Sequence, residues 1–250
     1  MTQWRGLLSL VKHAELMNLR ETEIGRIVRH LSDQTDGFEN PKLFLIGGYA
    51  LRAFTSFSRY TRDCDFVLQK AEKWNLDRLQ STLSTEMFVD TCEKFDAHGF
   101  MRCVKLLGDG AKISLDFMEG QVRGRTDEQI FFVSDEFLSN VIKTEIVIAN
   151  EVFEVYVPNY VDYLLLKLMS ARPSDIRDIA TLVWKRGLPN NLKEVAKKML
   201  AYPEIIDKNL SVIVSDIADK RFLDSWKGTF VTTEFTETIK ENVLKELQKI

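Results

Sequence analysis

Three acids and a pair of glycines are the residues of this chain whose types and spacing could do chemistry. Asp63 and Asp65 stand two apart in the run DCDFVL at 63–68, so their side chains project from one face of a strand while Cys64, Phe66 and Leu68 project from the other. Carboxylates spaced roughly 6 to 7 Å along a strand can share a divalent cation or a pair of them. Packed together without a cation they repel, and one tends to hold its proton. Gly47 and Gly48 follow the short apolar run LFLI at 43–46. Two residues without side chains let the backbone approach an anion closely, and the N–H groups of a helix start would point at it, which makes a candidate phosphate cradle. Arg59 and Arg62 stand beside the first two acids. The third acid, Asp116, lies where Ile113, Leu115 and Phe117 alternate with Ser114, Asp116 and Met118. Facing away from the apolar set, it is either a solvent-facing residue or a further member of the carboxylate site; Glu119 is the reserve choice.

The elements that must position these groups are legible from periodicity and turn residues. Residues 43–46 suit a buried strand, bounded by Asn40 and Pro41 on one side and the glycines on the other. The glycines open a helical pattern of Tyr49, Ala50, Ala53, Phe54 and Phe57, and a second strand follows at 63–68. Upstream, 4–34 reads as two helices, one with Leu7, Leu8, Leu10, Val11 and Ala14, the other with Ile24, Ile27, Val28 and Leu31, separated near 18–21. Residues 35–41 form a loop. After a polar connection beyond Leu68, a helix is predicted over 75–84 with Leu76, Leu79 and Leu83 on one side. Strands follow at 87–95, 100–107 and 112–118, joined by residues 96–99 and by Gly108-Asp109-Gly110, the latter a good hairpin signal. Further strands are predicted at 131–133, 141–149 and 152–157, with a tight turn at Asn150-Glu151.

From Pro158 onward the pattern is wholly helical. Asn159 caps a helix reaching about residue 171, and Ser174 caps another that ends at Gly187. Residues 192–250 carry three or four amphipathic helices, and the cations Lys185, Arg186, Lys193, Lys197 and Lys198 around Glu194 form a solvated basic face. The change of pattern divides the chain into an N-terminal domain, 1–157, and a helical C-terminal domain, 158–250.

The combination of glycine pair, helix and Asp-x-Asp strand within one unit resembles the nucleotidyltransferase signature of the polymerase beta superfamily. Within it, GGYALRAF followed by RYTRDCDFVL looks most like the AbiEii and AbiGii toxin-type nucleotidyltransferases, whose pattern is Gly-Gly-x-Ala and then Arg-x-Thr-x-Asp-x-Asp. The segment LLLKLMSARPSDIRDIATL resembles the same family's Lys, small residue and Arg, then Asp-x-x-Asp, which falls on Lys167, Ala171, Arg172, Asp175 and Asp178. Pro173 and Ser174 depart from that pattern, standing where a basic residue often precedes the Asp.

The resemblance spans about residues 43–182 and implies an α/β (α+β) fold, a mixed sheet flanked by helices with an all-helical C-terminal part closing over a nucleotide cleft. It implies a metal site of Asp63, Asp65 and Asp116 holding Mg²⁺ or Mn²⁺, with Asp116 also the general base. Around the nucleotide it implies Gly47, Gly48, Arg59, Thr61, Arg62 and Lys167. The activity it implies is transfer of a nucleotide from a nucleoside triphosphate to an acceptor hydroxyl, with pyrophosphate leaving. The acceptor in relatives is RNA such as a tRNA 3′ end, a protein side chain or a small molecule, and the toxin-like branch implies an antitoxin partner. A nucleotide-binding module without turnover is the alternative from another class.

Composition fits a folded protein of this kind. The 250 residues are 45% hydrophobic and 28% charged, with a net charge of −3 and a pI near 5.8. That balance argues against a surface coated in basic groups for duplex binding, while leaving room for a local patch. Cys64, Cys92 and Cys103 have no metal-ligand spacing and are expected to be reduced and structural. No run approaches the ~20 apolar residues of a membrane span, and the N-terminus lacks the features of a secretory signal, so a cytoplasmic protein is expected.

Overall fold

A computed structural model describes the backbone of residues 2–68 and 76–250, and side chains from residue 14 onward except those of Asp96 and Asp109. The connection after Leu68, and the side chains of Leu7, Leu8, Leu10 and Val11, lie outside the described residues. The chain divides into two units that interleave along the sequence. One comprises Met1–Ala50, Tyr60–Glu119 and Lys143–Tyr156, the other Leu51–Arg59, Gly120–Ile142 and Val157–Ile250.

The first unit is built on a mixed seven-stranded sheet. Its strands are β1 (Leu43–Ile46), β2 (Asp63–Leu68), β3 (Thr91–Phe95), β4 (Phe100–Leu106), β5 (Lys112–Glu119), β8 (Ile142–Ile148) and β9 (Glu151–Val157). They lie in the order β3-β4-β5-β2-β1-β9-β8. β2 runs antiparallel to β1 and parallel to β5, and β4 pairs antiparallel with both β3 and β5. One face of this centre is apolar. Cys64, Phe66, Ile113, Leu115, Phe117, Met101 and Cys103 are essentially inaccessible, and the Phe66 and Phe117 rings stack at 5.4 Å. Burial of that face fixes the register, because a one-residue slip would turn every apolar side chain toward water.

Helix α1 (Thr2–Gln34) is continuous where two helices were expected. No glycine or proline interrupts residues 18–21, so nothing there breaks the backbone hydrogen-bond ladder. Its residues Ile24, Ile27, Val28 and Leu31 are fully buried, and the helix lies against β5. Helix α3 (Leu76–Glu86) lies against β3 and β4 through Leu76, Leu79 and Leu83. Helix α2 (Gly47–Ala50) is a single turn, continued only by one 3-10 turn at Leu51–Ala53, and is shorter than its periodicity suggested. Phe54 and Phe57, read as its continuation, belong instead to the core of the second unit.

A further difference concerns the cysteines. Cys92 on β3 and Cys103 on β4 are register partners and form a disulfide, while Cys64 lies outside the disulfide and is buried. The expectation of three reduced cysteines is corrected by strand pairing, which places two of them directly opposite one another. The β8–β9 turn is also one residue earlier than expected, with Ala149 and Asn150 both at positive φ, as a tight hairpin turn requires.

The second unit contains helices α4 (Asp135–Ser139), α5 (Tyr160–Ser170), α6 (Pro173–Arg186), α7 (Leu192–Met199), α8 (Ile205–Ala218), α9 (Phe222–Phe230) and α10 (Glu237–Leu247). A small hairpin, β6 (Gln121–Arg123) with β7 (Ile130–Phe132), completes it. Asn159 caps α5, its side chain accepting a hydrogen bond from the Asp162 N–H. The cap of α6 is Arg172 rather than Ser174, because Pro173 takes the first helical position, where its missing N–H costs nothing. The core is aromatic. Trp226 is fully buried, stacks on Phe235 at 4.6 Å and donates its indole N–H to Thr181 at 2.9 Å, while Phe57 stacks on Trp184 at 5.3 Å. Among the described residues no helix is long and apolar enough to cross a membrane.

Candidate functional site

On the polar face of the sheet, pairing brings separated residues into two adjacent rows. Ile46 on β1 opposes Asp65 on β2, Asp65 opposes Asp116 on β5, and Asp116 opposes Arg102 on β4. Opposed residues in register project to the same side, as do residues two apart on a strand. Asp65 and Asp116 are therefore neighbours across strands, with Asp63 on the same face one row along, opposite Ser114.

Asp116 is 7% exposed and does not stand alone. Arg102 donates to both of its oxygens, Nε to Oδ1 at 2.8 Å and Nη2 to Oδ2 at 2.6 Å, the planar fork that matches a carboxylate best. The hydrogen bonding from this guanidinium to Asp116, opposed by partial burial and reinforced by the charges of Asp116, Asp63 and Asp65, raises the Arg102 pKa. Asp63 is less enclosed, and its Oδ1 lies 3.5 Å from Nε of the exposed Arg62.

The glycines act on this face through clearance. Gly47 has φ +67°, in the left-handed region, and a Cβ placed there would lie 1.9 Å from Oδ2 of Asp65. The bend after β1 therefore exists in this form only with glycine, and it lets the Asp65 carboxylate pack against the backbone. Because α2 is a single turn, it supplies little helix dipole, and clearance is the contribution of Gly47 that the geometry shows. Thr61 shapes the entry to β2. Its hydroxyl accepts from the Asp63 N–H and donates to the Asp63 carbonyl, both at 3.3 Å. The Tyr49 hydroxyl donates to the Thr61 carbonyl at 3.4 Å, and the Ser114 N–H to that of Arg62 at 3.0 Å.

Arg59 and Lys167 belong to the second unit and are matched by its own acids. Arg59 forks onto Asp178 at 2.8 and 3.0 Å. Lys167 Nζ lies 2.9 Å from both Asp175 and Asp178, and all three residues are buried. Burial alone would lower the Lys167 pKa, yet Asp175 and Asp178 outweigh it and raise it; burial likewise opposes Lys167 at Asp175, whose pKa is lowered. Two cations and two anions thus neutralise one another.

Three carboxylates on one face suit a hard divalent cation such as Mg²⁺ or Mn²⁺ in donor type and in strand placement. Side-chain geometry gives a different picture. Among the described residues no three His, Cys, Asp or Glu side chains are gathered as ligands, and Asp116 turns both oxygens to Arg102. A cation drawing on all three acids would have to take Asp116 from Arg102. Arg102 is the site residue that motif reading missed.

No protein-family model and no curated protein matches the chain. Among solved structures, an antigenic nucleotidyltransferase-like protein from Paracoccidioides brasiliensis is 17% identical with a TM-score of 0.47, covering 86% of this chain and 97% of that one. The Helicobacter pylori protein JHP933 is 15% identical with a TM-score of 0.40, covering 96% and 93%. The CD-NTase CdnG of Bradyrhizobium diazoefficiens, solved in complex with GTP, is 12% identical with a TM-score of 0.29, covering 93% and 97%.

Proposed function

We propose that this chain is a divalent-metal-dependent nucleotidyltransferase. The observation that carries the reading is the in-register pairing of Asp65 with Asp116, with Asp63 on the same face and a glycine bend cleared for Asp65. In this reading Asp63, Asp65 and Asp116 hold Mg²⁺ or Mn²⁺, which when bound neutralises triphosphate charge and acidifies the acceptor hydroxyl. Asp116 takes the hydroxyl proton as the acceptor oxygen bonds to the α-phosphorus and the bond to the β-phosphate breaks, releasing pyrophosphate. Arg62, exposed beside Asp63, is the cation placed to meet phosphate oxygens. Arg59 and Lys167 hold the second unit together through their matched charges. The motif resemblance points to an RNA acceptor, such as a tRNA 3′ end, in a toxin–antitoxin setting.

A second reading, nucleotide binding without turnover, is favoured by one observation: Asp116, the intended base, is already neutralised by Arg102. One experiment separates the two. The pure protein is incubated with each labelled nucleoside triphosphate, Mg²⁺ or Mn²⁺, and total RNA. Label on RNA that is abolished by Asp63→Asn and by Asp65→Asn, with melting temperature preserved, is the expected result. Label on the protein itself would move the acceptor to a side chain. Nucleotide binding with no transfer to any acceptor would replace the enzyme by the binding module.

A further inference from the structure

We propose that Arg102 is a built-in counter-cation of the carboxylate site, and that a divalent ion gains Asp116 only when Arg102 hands it over. The inference rests on the metal-holding reading of the three acids and adds a positioning residue to it. Its basis is the geometry of one row. Arg102 grips both oxygens of Asp116, so on the face it shares with Asp63 and Asp65 this carboxylate is already engaged by a cation of the chain itself.

The two partners differ in enclosure. The Asp116 side chain is 10% exposed, whereas that of Arg102 is 51% exposed. The acid is held in the sheet while the guanidinium lies at the water's edge and is the partner free to leave. It also has somewhere to go. Glu93 on β3 is exposed and opposes Arg102 in register, on the side away from Asp116. The row therefore reads Glu93, Arg102, Asp116, Asp65 across four neighbouring strands, one cation between acids on either side. Directly opposed residues on paired strands are close enough for side-chain ion pairing. Handing Arg102 from Asp116 to Glu93 keeps it paired with a carboxylate while opening the site to a cation that would otherwise face a like charge. Arg102 thus lowers metal affinity and, in exchange, spares Asp63, Asp65 and Asp116 from repelling one another when no metal is bound.

The test measures Mn²⁺ binding to the full chain by electron paramagnetic resonance, with folding followed by circular dichroism. Mn²⁺ binding by the wild type that disappears in Asp65→Asn is expected. Arg102→Gln should bind Mn²⁺ about tenfold more tightly, since a competing charge-assisted pair is gone. Arg102→Lys, a single-point cation without the fork, should fall between. Glu93→Gln, which removes only the alternative partner, should bind Mn²⁺ several-fold more weakly.

Equal affinity in wild type, Arg102→Gln and Arg102→Lys, all lost with Asp65→Asn, would overturn the proposal and leave the metal site standing. Weaker binding in folded Arg102→Gln or Arg102→Lys would overturn it in favour of Arg102 as a fixed support for Asp116. Absence of any Asp65-dependent Mn²⁺ binding would overturn both this proposal and the metal-dependent reading.

Discussion

Replacing Gly47 by alanine tests whether the bend after β1 exists to make room for a carboxylate. At φ +67° a non-glycine residue costs about 1–2 kcal/mol in the left-handed region. The new Cβ would also meet Asp65 Oδ2 at 1.9 Å and Cγ at 2.8 Å, so the carboxylate must swing away or the strand must shift. Overpacking of this sort costs roughly 1–3 kcal/mol. Together the two predict a loss of about 2–5 kcal/mol, which in a chain of this size lowers the melting temperature by roughly 5–15 °C.

The two contributions separate in an Asp65→Ala background. That substitution removes Oδ2 and Cγ and leaves only the residue 65 Cβ, 3.1 Å away, so Gly47→Ala should there cost little more than its backbone strain. Urea unfolding of the four proteins closes a double-mutant cycle, with an expected coupling of about 1–3 kcal/mol. A coupling below ~0.5 kcal/mol, the range of independent sites, would refute the claim that Gly47 clears space for Asp65 and leave only its φ.

The second unit carries its own predictions. Lys167→Met leaves Asp175 and Asp178 buried with Arg59 as the remaining strong cation, and should cost about 3–5 kcal/mol in urea unfolding; a loss under 1 kcal/mol would show that the network is not stabilised by this lysine. Asp162, 2% exposed near the start of α5, has its pKa pushed up to about 6 by burial, against the hydrogen bond from Asn159 and helped by Glu136. Its folded pKa lies above the unfolded value of about 3.9, so its contribution is fully present below about pH 4 and is lost as pH rises through about 6. Stability should therefore fall by up to roughly 2–3 kcal/mol between these limits through this group, and Asp162→Asn should flatten that slope; an unchanged slope would refute it. Asp175 acts in the opposite direction and lower, since its depressed pKa makes its contribution fade only below about pH 4.

Much of this fold is legible in the sequence because apolar alternation and turn residues constrain it from both ends. Strands β4 and β5 were bounded within a residue or so by Ile113, Leu115 and Phe117 and by the glycines at 108 and 110. What periodicity could not show was where α2 would stop. Phe54 and Phe57 continue the spacing of Tyr49 and Ala50 perfectly well, but they are claimed by Tyr163, Trp184 and Trp226 of another core. Tertiary packing overrode a local pattern. In the same way β6 and α4 are too short for any period to register, and α6 takes Arg172 as its cap because Pro173 fits the first turn.

The pairing of Asp116 with Arg102 is written in the sequence through the position of the turn between their strands. A hairpin turning about residue 109 sets Leu106 opposite Lys112, and each step away from the turn adds one pair, so that Arg102 falls opposite Asp116. The connection at 96–99 does the same one strand over, setting Cys92 opposite Cys103 and Glu93 opposite Arg102. Motif reading treats each acid as a position in a pattern, whereas turn centres assign each residue a partner. It is the partner that decides whether a carboxylate of this sheet faces a cation from solution or one supplied by the chain. For Asp116 the turn at 108–110 had already chosen the arginine, and any ion that is to use this acid must compete with it.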